Sequence, residues 1–379
     1  MEQFFFAWLH WNPERTLFTV PFIDRPVVWY GVWFVFGFLI GYITLVPMFK
    51  RRLDQVSTLS ERDVISWQTL VEDLSKKEAD PITQRLSKKN KHELTKLKKG
   101  QRPDAVLRTA LLEALNGALR ENFNNDRHIV EKLFSRSIAS THDIAQMLVD
   151  KLAWFAVAGT IVGARLGHVF FYEWPRYFKN PFEIVEVWKG GLASHGAAVG
   201  IIIALLLYNR MIRKQFPEFS FIAILDMIVV PTAFAGCCIR IGNFFNQEIL
   251  GNVTQVPWAI VFDDPADRTM PAPRHPVQLY EATAYIASFF LLYYLWEKKA
   301  DKLRPGVLSG LFFILIFTSR FLFEFLKMPL SSMINESFLQ TGQYLSLPFI
   351  MAGIYLLMRK QLLSQNLTKF PNQIRHNIS

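Results

Sequence analysis

The chain is 379 residues long, 51% hydrophobic and 15% aromatic, with a formal net charge of +10. A soluble domain is not normally this apolar, and several runs of about 20 apolar residues meet the bilayer-spanning length, so a soluble enzyme is excluded in favour of a polytopic membrane protein. Most lysines and arginines lie between those runs, where the positive-inside rule places them, so the charge reports topology and not nucleic-acid binding.

In chain order, MEQFFFAWLHWNPERTLF carries neither a basic n-region nor a small-residue cleavage site and is not expected to be a cleaved signal peptide. Its Phe4, Phe5, Phe6, Trp8 and Trp11 read as an interfacial aromatic cluster. The first span is expected over Val27 to Phe49, opening on Trp29, Tyr30 and Gly31 and ending at Lys50, Arg51 and Arg52, which mark a cytoplasmic end. From Lys50 to Lys151 charged residues dominate and no spanning run exists. Lys88 to Arg102 is basic and Ala105 to Leu119 has helical apolar spacing. The segment reads as a solvated helical insertion, in preference to a surface for anionic lipid headgroups or nucleic acid, whose motifs it lacks.

The second span, Leu152 to Tyr172, contains Gly163, Arg165, Gly167 and His168, and a loop with Trp174, Tyr177 and Trp188 follows. The third begins near Gly190 and stops at Asn209, Arg210, Arg213 and Lys214. The fourth, Phe221 to Phe244, delivers Arg240 near its outer end; its adjacent Cys237 and Cys238 read as packing residues. A loop rich in Pro and Asp leads to a fifth span, Val277 to Trp296. The sixth, Val307 to Leu326, holds Arg320 and Glu324 at i, i+4, and the seventh, Gln343 to Met358, ends at Arg359 and Lys360. The expected fold class is therefore all-α, a polytopic membrane protein of about seven transmembrane helices, N-terminus out and C-terminus in, with a helical cytoplasmic insertion. Expected divisions are 1–49, an interfacial segment and first span; 50–151, the insertion; 152–360, a six-helix core; and 361–379, a cytoplasmic tail.

The stretch from Pro231 to Gly251, PTAFAGCCIRIGNFFNQEILG, stands apart. It places Arg240, Asn243, Asn246 and Glu248 within about three helical turns. An arginine at mid-bilayer costs about 2.5 to 3.5 kcal/mol on insertion scales, so a retained one faces a partner or a polar cavity, unless it only anchors the helix at the headgroups. With His195, His275, Tyr280, Arg320 and Arg165, these groups are expected in the outer half of the membrane, holding something anionic at headgroup depth. An anionic phospholipid is the obvious candidate, because a guanidinium fork donates two coplanar hydrogen bonds to phosphate. His195 suits proton transfer, although a hydrogen-bonded structural histidine is the commoner use of such a residue. His168, His195 and His275 form no i, i+4 ligand pair, and no Gly-rich nucleotide loop precedes a helix, so neither metal nor cofactor is implied.

GGLASHGAAVG, CIRIGNFFNQEILG, RHPVQLYEA and SRFLFEF, in this order, closely resemble the phosphatidylglycerol:prolipoprotein diacylglyceryl transferases of bacterial inner membranes. The resemblance covers about residues 20 to 50 and 150 to 360. It implies a multi-pass inner-membrane enzyme with its active site toward the outer leaflet. Such an enzyme moves diacylglyceryl from phosphatidylglycerol to the lipobox cysteine of a preprolipoprotein signal peptide and releases glycerol phosphate. It further implies functional roles for Tyr30, His195, Arg240, Asn243, Glu248, Tyr280, Arg320 and Glu324. Three departures stand out: Ala197 and Ile239 replace glycines common in the family, and the insertion has no counterpart in the family pattern. The alternative from another class is an intramembrane anion or lipid transporter, which would use similar buried charges but often shows internal repeats.

Overall fold

Apolar runs can cross a membrane only with every backbone group paired internally, which selects helices. The computed structural model describes residues 8–22, 24–76, 79–97, 101–187, 190–300, 302–328 and 339–359, Ser194 by its backbone only. Phe4, Phe5, Phe6, Trp188, Lys360 and the expected tail lie outside the described residues. The chain forms two compact units, Met1–Gly41 with Ile222–Ser379, and Tyr42–Phe221. The first helix, α1 (Trp29–Asp54), contributes to both.

In the second unit the described residues of the insertion form five α-helices: α2 (Trp67–Asp73), α3 (Asp80–Thr83), α4 (Lys88–Lys96), α5 (Ala105–Glu121) and α6 (Arg127–Leu133). Their starts are encoded locally. The side chains of Ser66, Ser87, Asp104 and Asp126 each accept a backbone N–H of the first turn, a cap whose loss typically costs about 1 kcal/mol. Leu70, Ile82, Leu111, Leu115 and Val130 are completely buried in a common core. Beside it Arg127 is buried between Asp63 (2.7 Å) and Glu131 (2.7 Å).

Helix α7 (Thr141–Phe171) is capped by Ser140 and begins inside the segment read as insertion. Its 31 residues give about 46 Å at 1.5 Å per residue, well beyond a hydrocarbon core of about 30 Å. A short helix α8 (Trp174–Lys179) and a 3-10 turn at Pro181–Val185 lead to α9 (Ser194–Ile212). Helices α7 and α9 meet along a seam of Gly159, Gly163 and Gly167 against Gly196, Gly200 and Ala204. A Cβ on Gly163 would lie 2.4 Å from the Gly196 carbonyl oxygen, and one on Gly200 would lie 2.1 Å from that of Gly159. Small residues let backbones approach where lipid supplies no hydrophobic drive.

In the first unit α10 (Phe221–Phe245), α11 (Val277–Lys299), α12 (Val307–Glu324) and α13 (Thr341–Met358) follow. Gly37 and Gly41 bring α1 against Ala235 and Pro231 of α10. Among the described residues, six helices are long and apolar enough to cross a membrane: α1, α7, α9, α10, α12 and α13. The expected fifth span, α11, is not among the six. It is long enough at 23 residues, but Gln278, Glu281, Tyr285 and Ser288 lie buried along it at spacings of three and four. Its polar groups therefore share one inward face, which lowers its hydropathy.

The all-α expectation omits five short strands. β1 (Leu9–Trp11), β4 (Ile260–Phe262) and β5 (Pro273–Arg274) form one sheet, β2 (Thr16–Val20) and β3 (Arg25–Val28) a hairpin. They give partners to backbone groups in the segments outside the helices. Trp11, expected at a membrane interface, packs tilted on Phe244 at 4.5 Å and donates to its carbonyl. Trp8 likewise donates to the carbonyl of Val256.

Candidate active site

The end of α10 is built to turn polar groups inward. Arg240 and Asn243, three apart on one helix face, are both buried, and Arg240 Nη1 donates to Asn243 Oδ1 at 3.1 Å. Beyond the helix, Gln247 (φ 53°) and Ile249 (φ 59°) both adopt left-handed backbone. For a β-branched residue this is a true outlier, costing on the order of 1–3 kcal/mol, and such strain concentrates at functional sites. The turn brings Glu248 N–H to the Asn243 carbonyl at 3.0 Å. Its carboxylate then accepts from Asn243 Nδ2 (3.1 Å) and Asn246 Nδ2 (2.9 Å). Gln278 of α11 donates to the Glu248 carbonyl, closing the turn from the other side. Tyr30 of α1 packs directly on Gly242, where a Cβ would lie 2.8 Å from its ring, and interacts electrostatically with Glu248 and Arg240.

Arg240 has a partner the sequence reading did not single out. Its Nε lies 2.9 Å from Oε2 of Glu281, which is 0% exposed on α11. The other oxygen of Glu281 lies 2.9 Å from Lys327 Nζ, and Lys327 in turn contacts Glu324 Oε2 at 2.9 Å. Tyr285 also interacts with the Arg240 guanidinium. The result is a buried ladder, Arg240–Glu281–Lys327–Glu324, in which each charge meets an opposite one, as a low-dielectric interior demands. Arg320, half-buried one helical turn before Glu324, has no hydrogen bond or ion pair among the described residues. The i, i+4 relation read from sequence therefore does not become a pair.

Tyr280 sits at the start of α11, where its hydroxyl accepts from Trp258 Nε1 at 2.7 Å and lies 3.3 Å from His275 Nδ1. Tyr30, Arg240, Asn243, Glu248, Tyr280, Arg320 and Glu324 thus all belong to the first unit, whereas Arg165 and His195 belong to the second. Arg165 has its donors occupied by carbonyls: Ile184 at 2.8 Å, Gly190 at 2.6 Å, Gly191 at 3.2 Å, and Glu183. Its guanidinium also lies over the Tyr177 ring. Arg165, expected at the substrate, thus ties together the carbonyls of Glu183, Ile184, Gly190 and Gly191. His195 is exposed at the start of α9, against the rings of Phe171 (5.1 Å) and Tyr172 (5.8 Å).

Glu281, Lys327 and Trp258 were missed as site residues. The signal for Glu281 was available: a buried arginine requires an anion, and Glu281 lies in the RHPVQLYEA motif. Nothing in the local sequence of Lys327 distinguishes it from a helix-end anchor.

Comparison with known proteins supplies the remaining evidence. A family model described as prolipoprotein diacylglyceryl transferase matches residues 128–359. The phosphatidylglycerol–prolipoprotein diacylglyceryl transferase of Protochlamydia amoebophila is 47% identical over 365 residues, covering 95% of this chain and 97% of its own length. Enzymes of the same name from Tolumonas auensis and Porphyromonas gingivalis are 44% and 42% identical, each over 55% of this chain and over 78% and 76% of their own lengths. An alignment covering 95% of the chain cannot omit residues 50–151, so the insertion has a counterpart in the Protochlamydia protein. The matched segment, the near full-length relative and the buried motif residues agree: this chain belongs to the prolipoprotein diacylglyceryl transferase family.

Proposed function

We propose that this chain is a membrane-embedded transferase that moves diacylglyceryl from phosphatidylglycerol to the thiol of a prolipoprotein lipobox cysteine, in a bacterial inner membrane with its active site toward the outer leaflet. Family membership supports the reaction, and it displaces the transporter alternative. The single observation that carries the site assignment is the contrast between two arginines: Arg240 is ion-paired and buried, Arg320 is not paired among the described residues.

In the reaction a C–S bond forms as the C–O bond to phosphate breaks, the thiol loses its proton, and glycerol phosphate leaves with the electron pair. A free thiol is mostly protonated at neutral pH, so a base must assist. Arg320 is the cation available to the phosphate, and it neutralises charge developing on the leaving oxygen; removing such a donor costs about 3 kcal/mol of barrier, some hundredfold in rate. Arg240 presents its remaining donors from a frame set by Glu281 and Asn243, with Glu248 fixing Asn243. On the family likeness of its Ser-His-Gly motif we assign the thiol proton to His195. The proton reaches it directly or through Tyr30 or Glu248, and Tyr280 positions the substrate.

The test compares Arg320→Lys, Arg320→Ala and Arg240→Lys for phosphatidylglycerol binding and for turnover of a lipobox peptide. Arg320→Ala is expected to lose both, and Arg320→Lys to retain partial binding with a larger loss of turnover, because lysine lacks the planar fork. Full turnover by Arg320→Ala would refute the phosphate assignment.

A further inference from the structure

Arg320 and Glu324 stand one helical turn apart, the separation at which arginine and glutamate side chains reach one another. In a poorly solvated interior such a pair would form by default, since attraction between opposite charges rises as the dielectric falls. Yet the Glu324 carboxylate turns the other way, to Lys327 Nζ at 2.9 Å.

Three features hold it there. Lys327 is 4% exposed, and its ammonium also lies 2.9 Å from Glu281, so it cannot leave without abandoning two carboxylates. Its backbone is tied to the end of the α10 signature: Lys327 bridges Gly251, and the flanking Met328 N–H and Asn252 N–H bond to Leu250 and Leu326 carbonyls at 3.0 and 2.7 Å. Finally, the carboxylate occupies the space in front of Gly342 on α13, where a Cβ would fall 2.1 Å from Glu324 Oε1.

From this geometry we infer that Lys327 is a positioning residue that diverts Glu324 away from Arg320, with Gly342 providing the room, and thereby leaves the Arg320 guanidinium open to a phosphate. The inference rests on the reading of Arg320 as the phosphate-binding cation. What the position requires is one positive charge within reach of both carboxylates. Without Lys327, Glu324 becomes a buried carboxylate whose nearest remaining cation on its own helix is Arg320. The anion site is then blocked from within.

A double-mutant cycle tests this with detergent-solubilised full-length protein and a fluorescent phosphatidylglycerol as probe, thermal stability being followed in parallel. Lys327→Met is expected to weaken binding about tenfold or more, the scale of one charge-assisted hydrogen bond, when Glu324 is present. In a Glu324→Gln background the same substitution is expected to change binding less than about twofold, because no carboxylate remains to capture Arg320. Gly342→Ala, which displaces the carboxylate, is expected to weaken binding like Lys327→Met, and Lys327→Arg is expected to rescue most of it. Equal loss in both backgrounds would mean that Lys327 only stabilises the fold and would overturn the inference. Failure of the unsubstituted protein to bind the probe would remove the phosphate reading and the inference together.

Discussion

Arg240 and Glu281 form an ion pair of 2.9 Å between α10 and α11, with the glutamate entirely shielded from solvent and shared with Lys327. Two cations thus share one carboxylate, Lys327 having Glu324 as a second partner. Removing one partner of such a pair leaves an uncompensated buried charge, at about 3–5 kcal/mol. Glu281→Ala is therefore expected to lower the thermal midpoint strongly, and Glu281→Gln less, because the amide oxygen still accepts. The buried thiols of Cys237 and Cys238 provide the readout, becoming reactive to a thiol dye as the protein unfolds. An unchanged midpoint for Glu281→Ala would show that the pair contributes nothing to the fold.

The glycine seam between α7 and α9 makes a second prediction. Gly163→Val and Gly200→Val would drive side chains into backbone carbonyls that cannot yield, an overpacking penalty of about 1–3 kcal/mol each. Both are expected to reduce the yield of folded protein and its midpoint. Position 197 lies off the seam, which accounts for alanine standing where the family commonly has glycine. Ala197→Gly should shift the midpoint by no more than the intrinsic helix cost of glycine, about 1 kcal/mol. A larger loss at 197 than at 200 would put the contact elsewhere.

Arg165 donates to four backbone carbonyls in and around residues 183–191. A lysine ammonium cannot span that arc. Arg165→Lys should accelerate amide hydrogen exchange in this loop while leaving exchange in α10 and α12 as it is. Unaltered exchange across 183–191 would release Arg165 from its structural duty and return it to the substrate.

In the insertion, burial alone would lower the Arg127 pKa, but Asp63 and Glu131 outweigh that effect and hold it above the ordinary arginine value. A group whose folded pKa is raised contributes stability fully below its unfolded value. Its contribution is consequently present through neutral pH, for as long as its carboxylate partners are ionised, and is lost on the alkaline side only in strong alkali. Asp63→Ala should open the insertion, seen as faster limited proteolysis between residues 55 and 140 at neutral pH. Equal cleavage rates would show that the charged triad is dispensable.

The limits of sequence reading follow from what each signal encodes. Span positions and the inward charges of α10 and α12 were legible because bilayer insertion penalises every exception. The start of α7 was placed late, since apolarity marks where lipid begins and not where a helix is capped. The capping residue, Ser140, lies ten residues before Asp150 and outside the apolar run. The strands were missed because β1 pairs with β4 across about two thirds of the chain, Leu9 with Ile260, and β4 and β5 are three and two residues long. The i, i+4 spacing of Arg320 and Glu324 reports only reach, whereas the competing cation, Lys327, is held in place by tertiary bridges to Leu250 and Gly251.

The most direct test of the function follows both products of one reaction. Purified protein would be given phosphatidylglycerol and a lipobox peptide, with mass spectrometry of the peptide and quantification of released glycerol phosphate. A one-to-one appearance of thioether-linked diacylglyceryl peptide and glycerol phosphate is expected, absent with a cysteine-to-serine peptide and with Arg320→Ala. Glycerol phosphate release without peptide modification, or no product from folded protein that binds phosphatidylglycerol, would contradict the assignment of this chain as the transferase.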